Sequence, residues 1–167
     1  RRSHHSVASL QEATQLPAPS GSVIEIVSSA APARWVEEAA RACMTGRFQA
    51  LVTAPLSKTS IIGAGMKDIG HTEILARVSK TKNLFMGFVG PKFSVVLATG
   101  HSPLSKALKE FNSRRLKQAL RAGMELRRAL AAKKAALPMA VVGVNPHAGE
   151  GGLIGKDEVW MRRVIRQ

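Results

Sequence analysis

The run MAVVGVNPHAGEGG at residues 139–152 decides how this chain is read. Its opening MAVVGV is apolar, which suits a strand. It then passes into Asn145-Pro146-His147-Ala148-Gly149, where proline lacks a ladder donor and glycine favours a turn, so sheet pairing should stop. A histidine is therefore expected on a loop at the carboxyl end of a strand. In open α/β sheets, ligands gather at that end.

Working outward, apolar runs that open into polar loops recur. VIEIV (23–27), QALVTA (49–54), NLFMGFVG (83–90) and FSVVLATG (93–100) predict further strands, the last two buried on both faces. Pro32 opens a predicted helix bearing Trp35, Val36, Ala39, Ala40 and Cys43, and SKTSIIGAG predicts a short helical piece. Another helix is predicted to begin around His71 and Thr72. Ser113 is read as the cap of a long helix to about Ala135, with Leu116, Leu120, Met124, Leu126 and Leu130 as its apolar stripe, and a last helix starts at about Lys156. Strands alternating with helices predict an α/β sandwich around a largely parallel sheet. Residues 1–21, ending in QLPAPSGS, lack periodicity and read as a polar lead-in, which leaves 22–167 as a single α/β domain.

Composition limits the function classes. The 167 residues are 45% hydrophobic and 22% charged, which suits a globular chain with a buried core. No apolar run approaches the roughly 18–20 residues of a membrane span, and RRSHHSVASL has no apolar signal stretch, so a cytoplasmic protein is expected. The single Cys43 excludes an internal disulfide and reads as a helix packing residue. Against 11 acidic residues stand 25 Lys and Arg, a formal charge of +14 that attracts phosphates, acidic metabolites or nucleic acid. Aromatic content of 4% without tyrosine leaves few stacking platforms, so nucleic acid is not the expected partner.

Two predicted strands each release a histidine: VVLATG leads to His101 in GHSPL, and VVGVN leads to His147. Imidazole is a common divalent-metal ligand, but catalytic metal sites usually take three protein ligands, and the alternative is that both rings bond to loop backbone. His71, in IGHTEIL, has two readings as well. Thr72 and Glu73 can simply start a helix, one as cap and one favouring the dipole, or the free N–H groups can receive a carboxylate or phosphate. Lys58 is either an anion contact or an ordinary surface lysine. GEGGLIG (149–155) has neither the dinucleotide nor the P-loop glycine spacing, and Glu150 is either a partner of a histidine or a solvated acid. His4 and His5 fall in the lead-in and read as solvent-exposed.

Taken together, TAPLSK (53–58), IGHTEIL (69–75), LATGHSPL (97–104) and VNPHAGEGG (144–152) resemble the 4-hydroxythreonine-4-phosphate dehydrogenases of pyridoxal phosphate biosynthesis. The likeness runs from about residue 20 to 160 and covers the central portion of a family member. It implies an isocitrate/isopropylmalate dehydrogenase-like α/β/α sandwich, a homodimer with an interfacial active site, and metal- and NAD-dependent oxidation with decarboxylation of 4-phosphooxy-L-threonine. Carried over by motif, His71 and Thr72 bind substrate, and His101 and His147 hold a divalent metal, whether zinc, magnesium or cobalt, that polarises the developing ketone. No catalytic acid or base and no NAD contact is assigned. The family's third metal histidine lies in a Tyr-His-Asp-Gln-Gly segment that is not among these residues, so the chain is expected to be part of a longer enzyme. Two alternatives stay open: a related dehydrogenase of threonate or erythronate 4-phosphate, and a truncated noncatalytic relative that binds anions or nucleic acid.

Overall fold

The computed structural model describes residues 3–17, 20–130 and 138–167. They form two compact units, residues 1–84 and 85–167.

In the first unit, β1 (His4–Val7) pairs in parallel with β2 (Val23–Ile26), His4 opposite Val23 and Val7 opposite Ile26. A parallel pair needs a crossover, which here contains α1 (Leu10–Gln15). Ser9 starts α1 by accepting from the Glu12 N–H at 3.2 Å, while Glu12 reaches back to the Ala8 N–H at 3.1 Å. This reciprocal arrangement is a near relative of the capping box. The lead-in read as irregular thus contains a strand and a helix, and His5 is half-buried within β1, against expectation, while His4 is exposed as expected.

Three further helices follow: α2 (Pro32–Met44), α3 (Lys58–Gly63) and α4 (His71–Ser79). Proline at the start of α2 has no N–H to leave unpaired there, and Ser57 caps α3 by accepting from the Ser60 N–H at 3.0 Å. Ala33 and Val36 of α2, Ile61 of α3, Ile74 of α4 and Met66 from the connection between α3 and α4 make the core, with Leu51, Leu56 and Val78 packed on it.

Beside that core sits Glu37, only 8% exposed, which the apolar stripe read for α2 did not include. It accepts from Arg41 at 2.8 Å, Arg77 at 2.9 Å and Arg34 at 3.2 Å. Arg77 also grips Asp68 at 2.8 Å, which ties the segment before α4 to that helix's last turn and both to α2. Hydrogen bonds from Arg77 and then Arg41 hold the Glu37 carboxyl down at about 2. Since the folded value lies below the ordinary 4.5, this contribution to stability is complete above 4.5 and is lost as pH falls towards about 2. Melting temperatures measured across that window should fall more steeply for the wild type than for Glu37→Gln. Parallel curves would remove Glu37 from the acid response.

In the second unit, β3 (Gly87–Phe88) and β4 (Val95–Val96) form an antiparallel ladder. Then come α5 (Leu104–Glu110), which was not predicted, α6 (Ser113–Leu130) and α7 (Asp157–Ile165). The cap of α6 is Asn112, not Ser113: its Oδ1 accepts from the Arg115 N–H at 3.0 Å. The predicted extension of that helix to Ala135 lies outside the described residues. Leu116, Met161 and Val164 form this unit's core, with Leu120 and Val141 against it and Phe111 tilted on Trp160 at 5.3 Å between centroids.

The sheets are smaller than expected. Among the described residues, 49–54 and 139–144 are irregular and unpaired, and no strand is covered on both faces. Val52 is 93% exposed and Val142 84%. A strand exists only when a neighbour completes its ladder, and these two segments have none among the described residues. One of the two ladders is parallel and the other antiparallel, so the coarse α/β class stands without a largely parallel sheet.

Candidate functional site

His71 is the first residue of α4, in the first unit. Gly70, extended at φ −170°, precedes it and no side chain caps the helix, so the expected Thr72 cap is not formed. Thr72 lies one position inside the helix. Glu73 does fall in the first turn, where the helix dipole favours an acid. The Nε2 atom of His71 is buried and has no hydrogen-bond partner. A buried ring nitrogen without a partner beside an uncapped helix start can donate to, or accept from, a polar ligand group.

Lys58 is exposed at the start of α3, and Thr53 and Pro55 are exposed in the irregular stretch before it. Cys43 is a half-buried free thiol on α2, in keeping with a packing role.

His101 belongs to the second unit and stands exposed in the short connection between β4 and α5. The chain entering that connection is held from α6. Arg115 donates from Nε to the Ala98 carbonyl at 2.6 Å while its guanidinium lies 4.1 Å from the centre of the Phe85 ring. An arginine can satisfy both demands because its flat cation stacks and donates at once.

His147 is exposed in the same unit, inside a turn over Pro146–Gly152 that coils with left-handed torsions. His147, Ala148 and Glu150 have φ of 52°, 52° and 43°, and Gly149 and Gly151 have 75° and 67°. Each non-glycine residue in that region costs about 1–2 kcal/mol, so three of them cost roughly 3–6 kcal/mol together. Something must over-determine the turn.

The fixing groups are on α7. Glu158, 6% exposed, accepts with Oε1 from the backbone N–H groups of Val144 and Asn145, both at 2.8 Å, and with Oε2 from the Asn145 amide at 3.0 Å. Asn145 also donates to Asp157 at 3.0 Å. These donors, led by Asn145, hold the Glu158 carboxyl down at about 2. Gly149 is buried so tightly that an added Cβ would lie 2.5 Å from the Gly155 carbonyl oxygen and 2.6 Å from Glu158 Oε2. Glu150, the acid considered from sequence as a histidine partner, is exposed. Glu158 was missed because it lies eleven residues beyond His147 and looks like an ordinary acid in a helix's first turn. The signal was there in Asp157-Glu158, which follows the glycine-rich turn and opens a helix.

Imidazoles suit a divalent cation in kind. In number they fall short: among the described residues no group of three or more His, Cys, Asp or Glu is placed to hold a metal ion. A complete centre would need at least one further ligand.

The chain is thus of the α/β class and carries two histidine-bearing turns, one of them clamped by a buried carboxylate. The sequence model of the family described as "Pyridoxal phosphate biosynthetic protein PdxA" matches residues 3–167, and the chain belongs to that family. It is 34% identical over 146 residues to a 4-hydroxythreonine-4-phosphate dehydrogenase of Ectopseudomonas mendocina, covering 86% of this chain and 40% of that protein. A D-threonate 4-phosphate dehydrogenase of Bordetella bronchiseptica is 36% identical over 125 residues, covering 75% and 35% of the two chains. Among solved structures, a 4-hydroxythreonine-4-phosphate dehydrogenase of Klebsiella pneumoniae superposes with a TM-score of 0.76 at 26% identity, over 99% of this chain and 54% of that one. The chain therefore spans about 40% or less of the length of these two curated relatives. No helix among the described residues is long and apolar enough to cross a membrane.

Proposed function

We infer that this chain provides the substrate- and metal-binding portion of a PdxA-type dehydrogenase that oxidises 4-phosphooxy-L-threonine with NAD, with loss of carbon dioxide, on the route to pyridoxal 5'-phosphate. The observation that carries this reading is the family match over residues 3–167, which takes in all four motifs that hold His71, Thr72, His101 and His147. The finer fold proposed is the isocitrate/isopropylmalate dehydrogenase-like sandwich, assembled as a cytoplasmic homodimer with the active site at the subunit interface.

His71 and Thr72 have the substrate role. The start of α4 carries the positive end of the helix dipole, which favours a phosphate or carboxylate, and the unpartnered Nε2 of His71 is placed to bond a substrate oxygen. The +14 charge raises the local concentration of the anionic substrate and cofactor. His101 and His147 are proposed as two ligands of the divalent metal, with the remaining ligand from outside the described residues.

A second reading stays within the family. The Bordetella relative acts by name on D-threonate 4-phosphate, which differs from the amino acid substrate at a single functional group. Supplying NAD, zinc ion and each phosphorylated hydroxy acid in turn, and following NADH absorbance, separates the two. Turnover of the amino acid supports the first reading and turnover of threonate alone the second, whereas no NADH from either contradicts both. His71→Ala should raise KM by about tenfold or more, the worth of a hydrogen bond to a charged group, and leave metal content unchanged. Loss of metal in that variant would mean the roles were wrongly assigned.

A further inference from the structure

The segment that delivers His147 is not held by a sheet. Residues 139–144 have no ladder partner among the described residues, and Val142 and Val144 are 84% and 38% exposed. The turn itself is coiled against its conformational preference, and at its two ends the Ala148 N–H donates to the Asn145 carbonyl at 3.1 Å, Leu153 to Glu150 at 3.3 Å and Ile154 to Gly149 at 3.2 Å. What anchors it to a regular element is the first turn of α7, where Asp157 takes one bond from the Asn145 side chain and the buried carboxylate of Glu158 takes three. That carboxylate takes the last two N–H groups before Pro146 and the Asn145 side chain together, and one of its oxygens closes over Gly149 in the middle of the turn.

We propose that Glu158 is the positioning residue of the His147 turn, fixing where the imidazole stands by clamping Val144, Asn145 and Gly149 onto α7. It does so without touching substrate or metal. An acceptor with two oxygens and no proton is required, because every group it meets there, three N–H donors in all, points a hydrogen at it. Glutamine has the same shape but turns an NH2 towards the Asn145 amide, so Glu158→Gln sets donor against donor and loosens the clamp without leaving a hole. The inference rests on the reading of His147 as a metal ligand for its functional consequence, but not for its structural content.

The test compares wild type, Glu158→Gln, His147→Ala and the exposed control Val159→Ala by amide exchange, by NMR of the histidine rings, and by titration with zinc ion alone. In the wild type, the Val144 and Asn145 amide protons should resonate well downfield, as donors to a carboxylate; random-coil positions would overturn the proposal with no variant needed. In Glu158→Gln, exchange across 143–152 should quicken and the His147 ring signals should shift, while α6 keeps its protection. Zinc affinity should fall about tenfold, the usual size of a supporting-residue effect. Unchanged exchange and unchanged His147 signals would overturn the proposal. If His147→Ala leaves the zinc isotherm untouched, the metal reading of His147 is what fails, and exchange and ring signals alone decide the role of Glu158.

Discussion

Gly149→Ala is expected to destabilise the second unit by about 2–5 kcal/mol. Two terms add. The residue sits at φ +75°, which costs a side-chain-bearing residue about 1–2 kcal/mol. The new methyl would also meet the Gly155 carbonyl oxygen at 2.5 Å and Glu158 Oε2 at 2.6 Å, an overlap of backbone and buried carboxylate that costs about 1–3 kcal/mol to relieve. Relief would come from spreading the turn away from α7, so amide exchange across 143–152 should also quicken in the variant. Gly151→Ala isolates the first term, since its φ is +67° but nothing lies within 4 Å of the added carbon. Urea unfolding measures both. Equal losses at the two positions would mean that close packing at Gly149 does not hold the turn.

Ile74→Ala is expected to cost about 2–5 kcal/mol through lost burial and the cavity left behind. Ile74 is fully buried and packs with Ala33, Val36, Ile61 and Met66 in the first unit's core. It also lies one helical turn after His71, so it seats the end of α4 that carries the proposed substrate contacts. Ile69→Ala, at a position 64% exposed, should change stability by less than about 0.5 kcal/mol. Denaturant midpoints read the contrast, and an Ile74→Ala loss no greater than that of Ile69→Ala would remove Ile74 from the first unit's core.

Helices were more legible in the sequence than strands, for a physical reason. α2, α3, α4, α6 and α7 announce themselves locally through Pro32, Ser57, the start at His71, the apolar stripe of α6 and the acids of α7. A strand is completed by a distant neighbour, so QALVTA and MAVVGV show the composition of strands while remaining unpaired among the described residues. β1 and α1 were passed over although Ser9-Leu10-Gln11-Glu12 has the spacing of a capping box, because the prolines and glycine that follow suggested a loop throughout. At the site, the histidines were visible because loop residues at segment ends are visible. Glu158, Arg115 and Glu37 were not, since a charged residue on a helix looks alike in sequence whether it faces water, the backbone of another segment or an opposite charge, and only the packing of other elements decides.

The two loop histidines of the second unit are proposed to share one cation, and cobalt(II) tests that most directly, because its visible absorption reports imidazole coordination. Titration of the protein should show a single cobalt-dependent band, weakened at least about tenfold in affinity by His101→Ala and again by His147→Ala. Superimposable isotherms for wild type and both variants would contradict the shared site.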